Sequence, residues 1–168
     1  MSELSSDLLY GLIGESVRVN RGGPESQKGT VISVYSDYFV LLSESGTVFY
    51  YQLEHIKSIT RNVKESGVEI VSLPTFVESD DFHGLLQNLK YRWVKINRGG
   101  PEKIEGILQD VSCEFVTLIV KEEVVQIAHY HIKSINYGLQ VQAEEDEDNQ
   151  SNNQQYRARA TRQSSRNR

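Results

Sequence analysis

The sequence predicts a mainly β protein: two tandem small β-barrels of the Sm-like or SH3-like kind, each preceded by a short α-helix, and then a disordered C-terminal tail. Three observations carry that expectation. One stretch of the chain occurs twice, β-branched and aromatic residues arrive in short runs divided by turn residues, and such residues become scarce after residue 142.

The duplication sets the organisation. At an offset of 77, the run Val17 to Glu25, "VRVNRGGPE", aligns with Val94 to Glu102, "VKINRGGPE", and seven of nine positions are identical. The same offset matches Gly29 with Gly106 and Val34 with Val111; after a one-residue deletion, "HIKSI" at 55–59 recurs at 131–135. Similarity at such a period marks a duplicated structural unit. The expected units are residues 5–62 and 80–141, with 63–79 as a linker and 142–168 as the tail.

Within the first unit the runs predict strands near 16–20, 29–35, 38–43, 47–52 and 56–59. The second unit predicts them near 93–97, 106–111, 114–120, 123–128 and 132–135. Val17 and Val19 alternate with Arg18 and Asn20, as a strand with one buried face requires. Ahead of each barrel lies a helical stripe, Leu8, Leu9 and Leu12 after Asp7, and Phe82, Leu85, Leu86 and Leu89 after Asp80 and Asp81. An Asp at the start accepts from free N–H groups of the first turn, and the helix would cap an open end of its barrel. In the linker, Val68, Ile70 and Leu73 suggest an added edge strand ended by Pro74, hence a rigid joint.

Composition narrows the function classes. The single cysteine, Cys113, excludes an intrachain disulfide and a multi-cysteine metal site. No apolar run is long enough for a membrane span, and residues 1–14 lack the basic start and cleavage site of a secretory leader, so synthesis in a cytoplasm is expected. The net charge is −5, and the tail's five acids, Glu144 to Asp148, cancel its five arginines. The remaining body carries 13 basic and 18 acidic residues, which makes nucleic acid an unlikely main partner.

The repeated loops are the candidate site. Gly22-Gly23 and Gly99-Gly100 permit positive φ, while Pro24 and Pro101 fix the next torsion and remove a donor. Arg21, Glu25, Arg98 and Glu102 would then be held in a fixed exposed arrangement, suited to a bidentate contact with a carboxylate or phosphate. No helix with a Gly-Lys-Ser/Thr ending follows, so this is no nucleotide loop. His55 and His131 read as hydrogen-bonded structural residues, since one imidazole per repeat falls short of a metal set. Tyr35, Tyr38, Tyr50 and Tyr51 fit core packing, or base stacking in an RNA-binding module. Trp93 reads as core, and Cys113 lacks a partner histidine. No catalytic constellation, cofactor or metal is called for.

At "NRGGPE", "YYQLEHIKSI", "DDFHGLL" and "INRGGPEKIEGIL" the chain resembles the spore coat protein B family of endospore-forming bacilli. The resemblance implies a non-enzymatic outer-coat component, made in the mother cell, deposited on the spore, and partnered by other coat proteins or by itself. It also implies a coat-associated kinase acting on the tail, for which Ser151, Thr161, Ser164 and Ser165 are the candidate acceptors here. More distantly, "VNRGGPESQKGTV" with "HIKSI" is similar to Sm-like proteins. Their base-positioning Asp-x-x-Asn pattern is broken, with Asp37 present and Val40 in the partner's place.

Overall fold

The short apolar runs become ten strands in the computed structural model, which describes residues 6–64 and 72–138. The first half runs α1 (Ser6–Tyr10), β1 (Ser16–Val19), β2 (Gln27–Val34), β3 (Tyr38–Ser43), β4 (Val48–Gln52), a 3-10 turn over Leu53–His55, and β5 (Ile59–Arg61). The second half follows the same order: α2 (Phe82–Asn88), β6 (Trp93–Ile96), β7 (Ile104–Val111), β8 (Phe115–Val120), β9 (Glu123–Ala128), a 3-10 turn over His129–His131, and β10 (Ser134–Tyr137).

The strands form one antiparallel sheet that is not closed, ordered β5-β1-β2-β3-β4-β10-β6-β7-β8-β9, in which the expected pair of small barrels is not seen as two separate sheets. Each half is a run of five neighbouring strands, and the halves merge because β4 pairs with β10, Tyr51 opposite Ser134 and Tyr50 opposite Ile135. That pairing takes up the outer edge of β4, so the backbone ladder continues from one half into the other. Among the described residues the sheet ends at β5 and β9.

Both halves bend at the same place. A register shift interrupts β2 against β3 between Val31 and Ser33, and β7 against β8 between Leu108 and Asp110. Such a bulge coils the strand locally. The duplicated glycines sit beside these bends where strands approach closely. A Cβ on Gly29 would lie 2.5 Å from the Leu42 carbonyl oxygen, and one on Gly106 2.4 Å from that of Ile119.

Two apolar cores result, and one draws on both halves. Leu9, Val17, Val19, Val31, Phe39, Leu41 and Tyr51 fill the first. The second combines Tyr38, Val40 and Tyr50 with Phe82, Leu85, Leu86, Leu89, Val94, Ile96 and Leu108. Strand alternation explains the split: Phe39 and Leu41 point into one core, Tyr38 and Val40 into the other. A strand buried on both faces reads as a continuous apolar run, as "FVLL" does. Its counterpart β8 buries Val116 and Leu118 but leaves Phe115 exposed, since none of the described residues forms a second layer over that face.

The helices match their stripes unequally. Phe82, Leu85 and Leu86 of α2 and Leu89 just after it are all buried in the shared core, and Asp81 caps the helix by accepting from Gly84 N–H at 2.7 Å. In α1 only Leu9 is fully buried, Leu8 is exposed, and Asp7 lies inside the first turn rather than ahead of it. The cap expected over a barrel end is therefore, for α2, a layer between the halves.

Residues 72–79 form no strand; Leu73 is exposed, and Val68 and Ile70 lie outside the described residues. The joint is held by tyrosines instead. Tyr50 OH donates to the Val77 carbonyl at 2.6 Å, and Tyr38 OH donates to the Ser79 carbonyl at 2.6 Å while accepting from Ser79 N–H at 3.0 Å. Tyr35 OH donates to the Glu78 carboxylate, and Tyr137 OH accepts from Val77 N–H. Asp37 adds a bond from Phe82 N–H at 2.8 Å, tying α2 to β3. Burial, more than any neighbouring group, pushes the Tyr35, Tyr38 and Tyr50 hydroxyls above the ordinary phenol range and the Asp37 carboxyl above the ordinary carboxyl range.

Gly29→Ala is expected to destabilise the fold by about 1–3 kcal/mol, because the new methyl must displace a backbone carbonyl. Gly22→Ala, with nothing within 4 Å of its Cβ position, serves as the control and should stay within about 0.5 kcal/mol. Urea unfolding measures both.

Candidate interaction site at the repeated loops

The loop begins with an asparagine whose backbone is left-handed, Asn20 at φ 51° and Asn97 at φ 55°. Asn tolerates this region better than most residues. Each then closes a small network on the "HIKSI" segment of its own half. Asn20 N–H donates to the Ser58 carbonyl at 2.8 Å, and its Oδ1 accepts from Lys57 N–H at 2.9 Å. Asn97 does the same with Ser134 at 2.9 Å and Lys133 at 2.8 Å, and its Nδ2 donates to the His131 carbonyl. Arg21 N–H reaches Ser58 Oγ and Arg98 N–H reaches Ser134 Oγ. The two duplicated motifs are thus two parts of one clamp.

This clamp corrects the closing strands, expected at 56–59 and 132–135. Their first N–H groups go to an asparagine side chain and a 3-10 turn, so the ladders start only at Ile59 and Ser134. The role of Asn20 and Asn97 was missing from the sequence reading. The signal that could have found it is that both motifs were duplicated together, each keeping its Asn.

Glycine and proline behave partly as expected. Gly23 and Gly100 adopt positive φ, 87° and 77°, while Gly22 and Gly99 do not. Gly99 is closely approached instead: a Cβ there would lie 3.0 Å from the Pro24 carbonyl oxygen and 3.2 Å from Pro24 Cβ, a tight fit. The two loops therefore touch. Pro24, Glu25 and Ser26 of the first meet Arg98, Gly99 and Gly100 of the second.

Around this contact the polar groups are matched. Glu25 is 8% exposed, and its carboxylate accepts from Ser134 Oγ at 2.6 Å. Its carbonyl accepts from Tyr51 OH, whose pKa is raised by burial and then by the Glu25 charge. Arg98 donates through its guanidinium to the Ser26 carbonyl and lies over the Phe49 ring. Within the chain Arg98 thus serves a backbone oxygen of the first loop. Gln52 Nε2 completes the joint by donating to the Ile132 carbonyl at 2.6 Å.

The other halves of the loops stay open. Arg21, Gly22, Gly23, Pro101 and Glu102 are all exposed, and Glu102 takes a surface ion pair with Lys133 at 3.0 Å. Identical residues thus stand in opposite environments, Glu25 enclosed and Glu102 in solvent.

The remaining candidates fall apart from this site. His131 is exposed, and His55 Nε2 is buried without a hydrogen-bond partner, 3.5 Å from Glu54; the ring packs edge-on against Tyr130. The expected hydrogen-bonded role is thus not what His55 Nε2 has. His129 packs near His83, and burial, then the His83 charge, lowers its pKa. Among the described residues no group of three or more His, Cys, Asp or Glu side chains could hold a metal ion. Tyr38, Tyr50 and Tyr51 are buried to within 1%, which removes their faces from base stacking. Asp37 is engaged with Phe82, and Val40 is fully buried. Trp93, expected in the core, is 37% exposed, at the start of β6. Cys113 is exposed in the β7–β8 turn. Ser151, Thr161, Ser164 and Ser165 lie outside the described residues.

No family model matches the chain. It is 40% identical over 131 residues to spore coat protein B of Bacillus subtilis (strain 168), a match taking in 78% of this chain and 34% of that protein. The chain thus spans about a third of the length of the curated relative it matches.

The unequal environments predict unequal losses. Glu25→Ala should cost about 1–3 kcal/mol, since it strips a partner from a buried hydroxyl and opens the loop contact. Glu102→Ala, removing a surface pair with Lys133, should leave the unfolding midpoint close to that of the unaltered chain when the two are compared side by side.

Proposed function

Because the chain belongs to the spore coat protein B family over those 131 matched residues, we propose that it is a non-enzymatic structural component of the spore coat, acting through protein–protein contacts. Its place is the coat laid around the spore. The observation that carries the contact mechanism is the loop junction itself. Pro24 to Ser26 and Arg98 to Gly100 meet as two protein surfaces do, with a proline seated on glycines, a charged group on a backbone oxygen, and a carboxylate on a hydroxyl. These residues are spent on shape and on backbone geometry.

Each half keeps the strand order of an Sm-like unit, with the closing strand beside the first strand, as in β5-β1 and β10-β6. That supports descent of both halves from one such module. Fold alone does not bring RNA binding with it, and the buried tyrosines argue for a protein role. Other coat proteins are the proposed partners. The tail supplies Ser151, Thr161, Ser164 and Ser165 near arginines, and phosphate added there by a coat-associated kinase would pair with arginines of a neighbour.

No helix among the described residues is long and apolar enough to cross a membrane. A fluorescent fusion expressed in sporulating cells is expected to concentrate on the spore surface and to remain there in released spores. Diffuse fluorescence through the mother cell and no spore-bound signal would refute the coat reading.

A further inference from the structure

We propose that the chain associates head to tail with further copies of itself, the β9 edge of one copy pairing antiparallel with the β5 edge of the next. The proposal builds on the reading of the repeated loops as contact surfaces and names their partner as a second copy. Its template is the joint already inside the chain. There β4 of the first half pairs with β10 of the second, and the loops beside them interlock. The duplication supplies the same two surfaces again at the ends of the sheet: β9 is the counterpart of β4, and β5 the counterpart of β10.

The register follows from the repeat. Tyr51 lies opposite Phe39, and Ile127 opposite Val116, so Ile127 stands where Tyr51 stands and Gln126 where Tyr50 stands. Ser58 and Ile59 match Ser134 and Ile135 in the repeated "HIKSI". Transferring the internal pairs places Ile127 opposite Ser58 and Gln126 opposite Ile59 of the next copy. In the internal joint these positions are buried to within 1%. At the ends Gln126 is exposed, and Ile127, Ser58 and Ile59 are partly exposed, on strands that have no paired strand on one side among the described residues.

The loops tell the same story. Gly22 has neither a positive φ nor any atom within 4 Å of its Cβ position, so none of the described residues requires a glycine there. Its counterpart Gly99 is closely approached by Pro24, which leaves little room for a side chain. In the proposed contact Pro101 of one copy sits on Gly22 of the next, Glu102 meets Ser58, and Arg21 meets the Lys103 carbonyl.

Charge selects this pairing over others. Continuing the register carries exposed Glu122 and Glu123, at the start of β9, toward Val63 and Asn62 of the next copy. Those residues line a groove of about 560 Å³ with Arg18, Arg21, Arg61 and Lys64. Acidic meets basic head to tail, whereas β9 against β9 or β5 against β5 would oppose like charges. The contact is weaker than the internal one, because Ile127 and Ala128 lack the hydrogen bonds that Tyr51 and Gln52 make there.

Sedimentation velocity of the full chain, with Cys113→Ser, tests this from about 1 μM to about 1 mM, the span of weak protein contacts. The expected result is growth in size with concentration. E122K/E123K alone and R61E/K64E alone should remain monomeric, with unchanged unfolding midpoints, and an equal mixture of the two should regain assembly, since one end of each is intact and the altered ends attract. In the same background, Ser58→Cys with Ile127→Cys should form disulfide-linked multimers, and Ser58→Cys with Glu44→Cys should not. A wild-type chain monomeric throughout, or a mixture no larger than its parts, overturns the proposal; spore localisation is read separately and would stand.

Discussion

The pairing of β4 with β10 governs most of what the molecule is. Two residue pairs, Tyr51 with Ser134 and Tyr50 with Ile135, turn the outer edge of one half into an interior strand. An unpaired strand edge exposes backbone donors and acceptors, and satisfying them here places the two repeats in fixed register. Everything nearby follows that placement. Tyr38 and Val40 gain a second core to enter, α2 becomes a middle layer, and the first loop comes to rest on the second.

The clamp made by Asn20 and Asn97 is the local counterpart of that long-range constraint. It holds the end of each first strand to the start of each closing strand, so each half presents a closing strand in a defined position. One of those strands, β10, is used inside the chain, and the other, β5, is at the sheet's limit. Duplication therefore produced chemically matched surfaces, and their surroundings made them different. Glu25 and Glu102 show how far that can go with no change of residue.

Much of the local structure was legible because it depends on neighbours in sequence. The stripe of Phe82, Leu85, Leu86 and Leu89 and the alternation in β1 both have short-range causes. The merging of two barrels into one sheet was not legible, since backbone edges carry no sequence signature of the partner they choose. There was one indirect sign. "FVLL" in the first half against "VTLI" in the second puts Thr117 where β3 has Val40, and Phe115 is exposed where its counterpart Tyr38 is buried. The loops were read correctly as turns, but their division into an enclosed and an open set depends on that same long-range pairing. Tyr50, a candidate base-stacking residue by composition, is claimed by the linker for the same reason.

The tyrosine hydroxyls that bind residues 77–79 also bound the alkalinity the fold withstands. An unfolded phenol ionises near pH 10, whereas burial keeps Tyr35, Tyr38, Tyr50 and Tyr51 protonated beyond it. Above that pH the unfolded chain sheds protons that the native one retains, and each such group tips the balance toward unfolding. Several phenols released together make the failure steep, so the linker grip, indifferent to pH across the neutral range, gives way over a narrow interval in strong base.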